Sequence, residues 1–208
     1  MARTSTRAGL LLLGAVLLLA ACGEDDTAPA EPDDGQTPED TALQDDAAEG
    51  ALTVDLRNTA DEPVGTVALS PDGGRTRVQV SVSGLEPGFH GFHLHENAEC
   101  DPDAPDGPFT TAGGHLNPGA TPHGEHAGDL PNLLVGSDGR AEMTVSTDRF
   151  TVEDLTGAFI IHAMADNHAN IPERYLDGAQ VDEETLATGD AGGRQACGVV
   201  GEAPPPGS

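Results

Sequence analysis

The sequence predicts an all-β fold, an antiparallel sandwich or barrel with its chemistry on two long loops. Short apolar stretches alternate with polar residues at a period of two, as in Leu52, Val54, Leu56 and again in Val78, Val80, Val82. Turn chemistry separates them, and 27 glycines and 16 prolines in 208 residues punctuate the chain too heavily for a helical bundle. Two Gly/Pro/Asp-rich stretches, Glu96 to Gly128 and Asp166 to Gly193, exceed ordinary connections, and loops that long in a compact domain are usually functional.

Charge narrows the function. The chain has 36 acidic side chains, nine arginines and no lysine, for a formal net charge of −27. Such a surface repels phosphate backbones, which excludes nucleic acid as a partner.

The first 21 residues read as an address. Arg3 and Arg7 precede an apolar run from Leu10 to Ala21, too short to span a bilayer comfortably and of the length of a signal-peptide core. The run ends in Leu19-Ala20-Ala21-Cys22, which resembles the bacterial lipobox, where the cysteine becomes lipidated and N-terminal. This predicts an exported protein held on the outer face of the cell membrane by a lipid on Cys22, or on the periplasmic side where a second membrane exists. Residues 22–50 carry eleven acids and no basic residue, which predicts a disordered, self-repelling tether. A domain over 51–201 and a short flexible tail over 202–208 follow, with 25 acids and seven arginines left beyond the leader and tether.

Within the domain, strands are expected at Leu52–Leu56, Val64–Leu69, Val78–Val82, Ala141–Val145, Ala158–Met164 and Gln195–Val200. Turns are expected at Asp61-Glu62-Pro63, Ser70 to Gly74 and Ser137-Asp138-Gly139, and no long amphipathic helix is expected. With Cys22 acylated, Cys100 and Cys197 remain, either bridged in an oxidising compartment or as two buried thiols. A bridge would close a loop of about 100 residues, worth up to about 4.7 kcal/mol on chain entropy.

All eight histidines fall between His90 and His168. His93 and His95 are two apart in a strand-like run, so both rings project from one face, while His90 points the other way as a structural hydrogen-bonding histidine. His115, His123, His126 and Asp129 follow on the glycine-rich loop, and His162 ends an apolar run. Imidazoles suit copper and zinc, and three histidines with a carboxylate suit tetrahedral zinc.

Four motifs in order, Gly88 to His95, Gly113 to Pro118, His126 to Leu130 and Gly189 to Val199, resemble copper/zinc superoxide dismutase over about Leu52 to Gly201. The resemblance implies an eight-stranded Greek-key β-barrel and the dismutation of superoxide by a redox-cycling copper, with zinc as structural and electrostatic partner. It implies His93, His95, His115 and His162 as copper ligands, with His115 shared and His123, His126 and Asp129 completing the zinc site. It further implies a Cys100–Cys197 disulfide, Arg194 as the arginine beside copper, His115 as proton carrier, and Asp166 as a carboxylate linking histidines of both sites. Two departures stand out. Only Gly124-Glu125 separates His123 from His126 where many relatives carry a longer insert, and the loop from Asn167 to Gly193 lacks substrate-steering lysines, with Arg174 its one basic residue. His168 reads as an ordinary loop histidine. The competing expectation is a non-catalytic copper-buffering or copper-delivering lipoprotein on the same fold, disfavoured by the retained Arg194.

Overall fold

The computed structural model describes residues 50–201; the leader, Cys22, the acidic tether before Gly50 and the tail from residue 202 lie outside them. The alternating segments form strands as expected: β1 (Leu52–Asn58), β2 (Pro63–Asp72) and β3 (Arg75–Ser83). Then come β4 (Gly88–His90), β5 (Phe92–His95), β6 (Leu133–Val135), β7 (Arg140–Thr147), β8 (Ala158–His162) and β9 (Arg194–Val199). Nine described strands stand where eight were expected, because Gly91 divides one run into β4 and β5. β4 pairs with β6 while β5 pairs with β8. β8 stops at His162, two residues short of the expected Met164, as the chain turns to receive the Gly91 N–H on the Met164 carbonyl at 2.7 Å. β6 was not anticipated: three residues between Pro131-Asn132 and Gly136 are too few to show a period.

The main sheet has the antiparallel order β5-β8-β9-β1-β2-β3-β7, and β4-β6 forms a second, two-stranded sheet. The β4–β5 run joins one end, and the turn from β6 into β7, where the Gly136 N–H bonds the Arg140 carbonyl at 2.8 Å, joins the other. The sheet thus curls back on itself as a barrel.

Alternation fills the interior. Val54, Leu56, Val67, Leu69, Val78, Val80, Phe92, Leu94, Phe159 and Ile161 are buried in one cluster, with Phe92 and Phe159 stacked at 5.5 Å between ring centroids. Each contributes about 1.5–3 kcal/mol of burial relative to exposure. β5 and β8 are buried on both faces. Their inward residues join the barrel core, while the outward Ile160 and Ala158 join Phe109, Ala112 and Cys197 under the first long loop. The outward His93 and His95 are likewise covered. A disulfide joins Cys100 to Cys197 across 97 residues and ties that loop to β9. The second long loop carries a six-residue helix, α1 (Glu183–Thr188), capped by the Asp182 side chain on the Thr185 N–H at 2.9 Å and closed by Gly189 in the left-handed region.

Candidate metal centre

Period-two spacing on β5 sends Phe92 and Leu94 inward and turns His93 and His95 to the outer face. The first long loop is laid beside that strand by backbone bonds: Leu116 N–H to Leu94 O at 2.8 Å, Leu94 N–H to Gly128 O at 2.9 Å, and Glu96 N–H to Gly114 O at 3.0 Å. Bridges between His95 and His115 and between His93 and Asp129 place both loop segments in register with β5. His162 arrives from the end of β8. The ligating atoms of His93, His95, His115 and His162 lie within 4.8 Å of one another, as do those of His115, His123, His126 and Asp129. All are buried, and His115 belongs to both groups.

Hydrogen bonds on the far side of each ring decide which nitrogen is left for a metal. His95 Nδ1–H donates to the Gly113 carbonyl at 2.9 Å and His162 Nδ1–H to the Gly192 carbonyl at 3.1 Å, so their Nε2 atoms face each other at 3.4 Å. His93 is held the other way, its Nε2–H donating to Asp166 at 2.9 Å. His123 Nε2–H donates to the second Asp166 oxygen at 2.8 Å. The remaining Nδ1 atoms of His93 and His123 are buried without a hydrogen-bond partner. On neutral His93 the Nδ1 lone pair is buried without a donor, which is costly unless a cation fills the role, and on His123 the same atom faces Asp129 at 3.4 Å, where it takes a proton or a metal cation.

The charge states agree. Burial holds His93 down to about 4 and His162 down to about 3, and burial with the neighbouring His115 keeps His95 well below the usual histidine range. All three are neutral at pH 7 and offer lone pairs. His123 differs: burial opposes its charging, but the Asp129 and Asp166 carboxylates, which its Nδ1 and Nε2 face at 3.4 and 2.8 Å, outweigh that and raise it to about 9. Asp129 and Asp166 are themselves held well below the carboxylate range, burial being overcome by the histidines that donate to them.

The short Gly124-Glu125 spacing does not keep His123 and His126 apart; their ring centroids are 5.2 Å apart, and His115 Nδ1 lies 2.9 Å from the Asp129 carboxylate. Arg194 is half-buried at the wall of a cavity of about 330 Å3, shared with His95, His115, His162 and Met164. Its guanidinium donates to the carbonyls of Phe109 and Gly113, both at 2.5 Å. His90 is in neither group: its ring Nε2 donates to the Glu86 carbonyl at 2.8 Å, and its Nδ1 lies 2.8 Å from both the Gln195 amide and the His162 backbone carbonyl.

Sequence reasoning missed three residues that surround Asp166. The Asn132 side chain bonds both backbone groups of Asp166, each at 2.9 Å. His168, expected to be an ordinary loop histidine, donates its backbone N–H to Asp166 Oδ1 at 2.7 Å, with its ring Nδ1 3.2 Å from Oδ2. Gly189, at φ +60°, lies so close that an added Cβ would overlap Asp166 Oδ1 and His123 Nε2. Only that glycine carried a sequence signal, as part of the Gly189-Asp190 motif.

The model of the family described as copper/zinc superoxide dismutase matches residues 64–200. The chain belongs to that family. Among curated relatives, the superoxide dismutase (Cu-Zn) of Mycolicibacterium paratuberculosis is 40% identical over 92% of this chain and 96% of its own length. That of Deinococcus radiodurans is 36% identical over 74% and 86%. The solved Cu/Zn superoxide dismutase from Brucella abortus aligns with a TM-score of 0.58 at 32% identity, over 72% of this chain and 99% of that one. As a member of the copper/zinc superoxide dismutase family the chain is an oxidoreductase of that type with copper and zinc as cofactors, and the buried donor set fits two such ions.

Gly189 gives a test of how tightly the linking carboxylate is set. Gly189→Ala should leave the barrel folded but lower zinc affinity by about 10–100-fold, the usual range when a ligand's outer hydrogen-bond partner is disturbed. Gly189→Asn, which tolerates a left-handed backbone, should not rescue it, because the collision is at Cβ. Chelator competition reads the affinity; wild-type values in either variant would show that Asp166 has room to move.

Proposed function

We propose that this chain dismutates superoxide outside the cytoplasm with copper held by His93, His95, His115 and His162 and zinc by His115, His123, His126 and Asp129. The observation that carries the reading is the cavity in which Arg194 shares a wall with three of the four histidines of the first group. A copper store would need the histidines but not a cation for docking an anion.

Copper supplies the two accessible oxidation states that alternate electron transfer to and from superoxide requires, and zinc supplies fixed positive charge beside it. Arg194 binds and orients the substrate: two N–H groups are committed to the Phe109 and Gly113 carbonyls, and the others remain for a small anion. His115 has Nδ1 turned to Asp129, so Nε2 faces the first group and the cavity as the atom placed to hold a proton for the reduced product. Asp166 and the Gly113 and Gly192 carbonyls fix the tautomers of the other rings. Glu184 and Asp190 also line the cavity, so attraction is confined to the site and opposed around it.

Several measurements test this. The full chain loaded with both metals should scavenge superoxide and contain one copper and one zinc. His95→Ala should abolish turnover, and Arg194→Gln should lower kcat/KM about tenfold or more, equivalent to about 1.4 kcal/mol. The wild-type rate should not fall steeply with salt, since the repelling acids are screened over about 8 Å at physiological ionic strength. Full copper binding without turnover would refute the enzymatic role; an unchanged Arg194→Gln rate would remove the arginine from it.

Zinc loading should be linked to protons with a sign set by His123. Raised to about 9, its ring is charged in the metal-free protein at pH 7 and must lose a proton to ligate. Calorimetry in buffers of different ionisation enthalpy should show about one more proton released at pH 7 than at pH 9.5, with affinity climbing as pH rises to about 9. Equal release at both pH values would contradict a charged His123.

The export reading rests on the apolar run and the lipobox-like Leu19 to Cys22. Cys22→Ser should shift the protein from the detergent to the aqueous phase on partitioning, because two acyl chains are what stable anchoring takes. Identical partitioning would remove Cys22 as the anchor.

A further inference from the structure

The His123–Asp129 turn is short for the work it does. Within seven residues it presents two histidines and a carboxylate, with only Gly124-Glu125 between the histidines. Some of its N–H groups are satisfied locally: Gly124 and His126 both donate to Asp129 Oδ2, at 2.6 and 3.1 Å, and Glu125 donates to the Pro122 carbonyl at 3.0 Å, while His123 and Gly128 donate to the Leu186 and Leu116 carbonyls at 3.3 and 2.9 Å. Three of its carbonyls are held from the barrel by one side chain. Arg149 Nη1 donates to His126 O at 2.9 Å and to Asp129 O at 3.2 Å, and Nη2 donates to Gly124 O at 3.2 Å.

Arg149 is well placed to act as a fixed point. It lies two residues beyond the end of β7, its own N–H is bonded to Thr147 Oγ1 at 3.2 Å, and the next residue's carbonyl accepts from Thr76 Oγ1 on β3 at 2.8 Å. Its backbone is thus fastened on both sides, and the planar guanidinium spans carbonyls a single ammonium could not reach together. Charge-assisted bonds of this kind are roughly twice as strong as neutral ones.

We propose that Arg149 is a positioning residue of the His123, His126, Asp129 half of the centre: by holding three carbonyls of the turn it sets the backbone from which these side chains reach zinc, alongside the bonds that tie Gly128 and Asp129 to β5. The proposal rests on zinc occupying that half, and not on turnover. Arg149 makes no bond to His93, His95 or His162 among the described residues, so the copper half should be indifferent to it.

The test uses the full chain, stripped of metal and titrated with zinc against a chelator, and separately with cobalt(II) as a spectroscopic probe. Arg149→Gln should weaken zinc about 10–100-fold and alter the visible cobalt bands. Arg149→Lys should recover part of both, and the exposed Arg140→Gln should match wild type. Copper affinity and the thermal midpoint of the metal-free variants should stay at wild-type values. The proposal is overturned if Arg149→Gln binds zinc like Arg140→Gln, if the cobalt spectrum is unchanged, or if the loss of zinc merely tracks a lowered midpoint that lysine does not restore. Absent turnover with intact zinc effects would refute the proposed function and leave this inference standing.

Discussion

The Asp166 carboxylate joins the two halves of the centre, and the geometry of both depends on it. A buried carboxylate is tolerable only when its oxygens are occupied. Here each oxygen takes a histidine N–H, His93 on one and His123 on the other, while the backbone N–H of His168 adds a third donor. The direction of dependence runs both ways. The histidines keep Asp166 ionised, and the ionised carboxylate fixes which nitrogen each histidine turns away from it, toward the rest of its group. A neutral amide in its place would donate to a ring nitrogen or leave one bare, and the two Nδ1 atoms now buried without partners would lose their aim.

That carboxylate is held from several parts of the fold. Asn132, just ahead of β6, bonds both sides of the Asp166 peptide, and Gly189 at the end of α1 packs against the carboxylate where no side chain would fit. The second loop therefore does not drape over the barrel; it is pinned at Asp166, at Gly189 through the Asn167 N–H at 2.8 Å, and at Met164 through the Ala191 carbonyl at 2.9 Å. The first loop is pinned by backbone bonds to β5 and by the disulfide to β9. Two long loops with little regular structure become rigid enough to hold metal ligands because the barrel supplies partners for their backbone polar groups.

Whatever depends on residue type and spacing could be read from the sequence. His93-Leu94-His95 declared its shared face through a period of two, and the apolar alternation located β1, β2, β3, β7 and β9 to within a few residues. The resemblance then grouped the histidines, and the structure gathers the same residues. The parts not legible act through backbone or through single contacts across long separations. β6 is too short to show a period, and Asn132 and Arg149 work by bonding carbonyls and peptide groups, an ability any asparagine or arginine shares. His168 looked idle because its backbone N–H, rather than its ring alone, meets Asp166.

The arginines show how so acidic a chain keeps an attraction for an anion. Arg57 pairs with Asp61, Arg77 with Asp72, Arg75 bonds the Ser146 carbonyl, and Arg174 lies over the Tyr175 ring. Arg149 is committed to the turn carrying His126 and Asp129. The two surface ion pairs, Arg57–Asp61 and Arg77–Asp72, contribute little to stability but neutralise the positive charge they contain. Arg194 differs in place: its bonds too are to neutral carbonyls, so its full charge survives, but it is half-buried in the wall of the cavity that His95, His115 and His162 also line. At an effective dielectric near 20, a charge about 4 Å away feels roughly 4 kcal/mol of attraction before desolvation, against the weakly felt field of distant acids. In the proposed reaction the attraction for a small anion comes from this cation beside the histidines rather than from a positive surface leading to them.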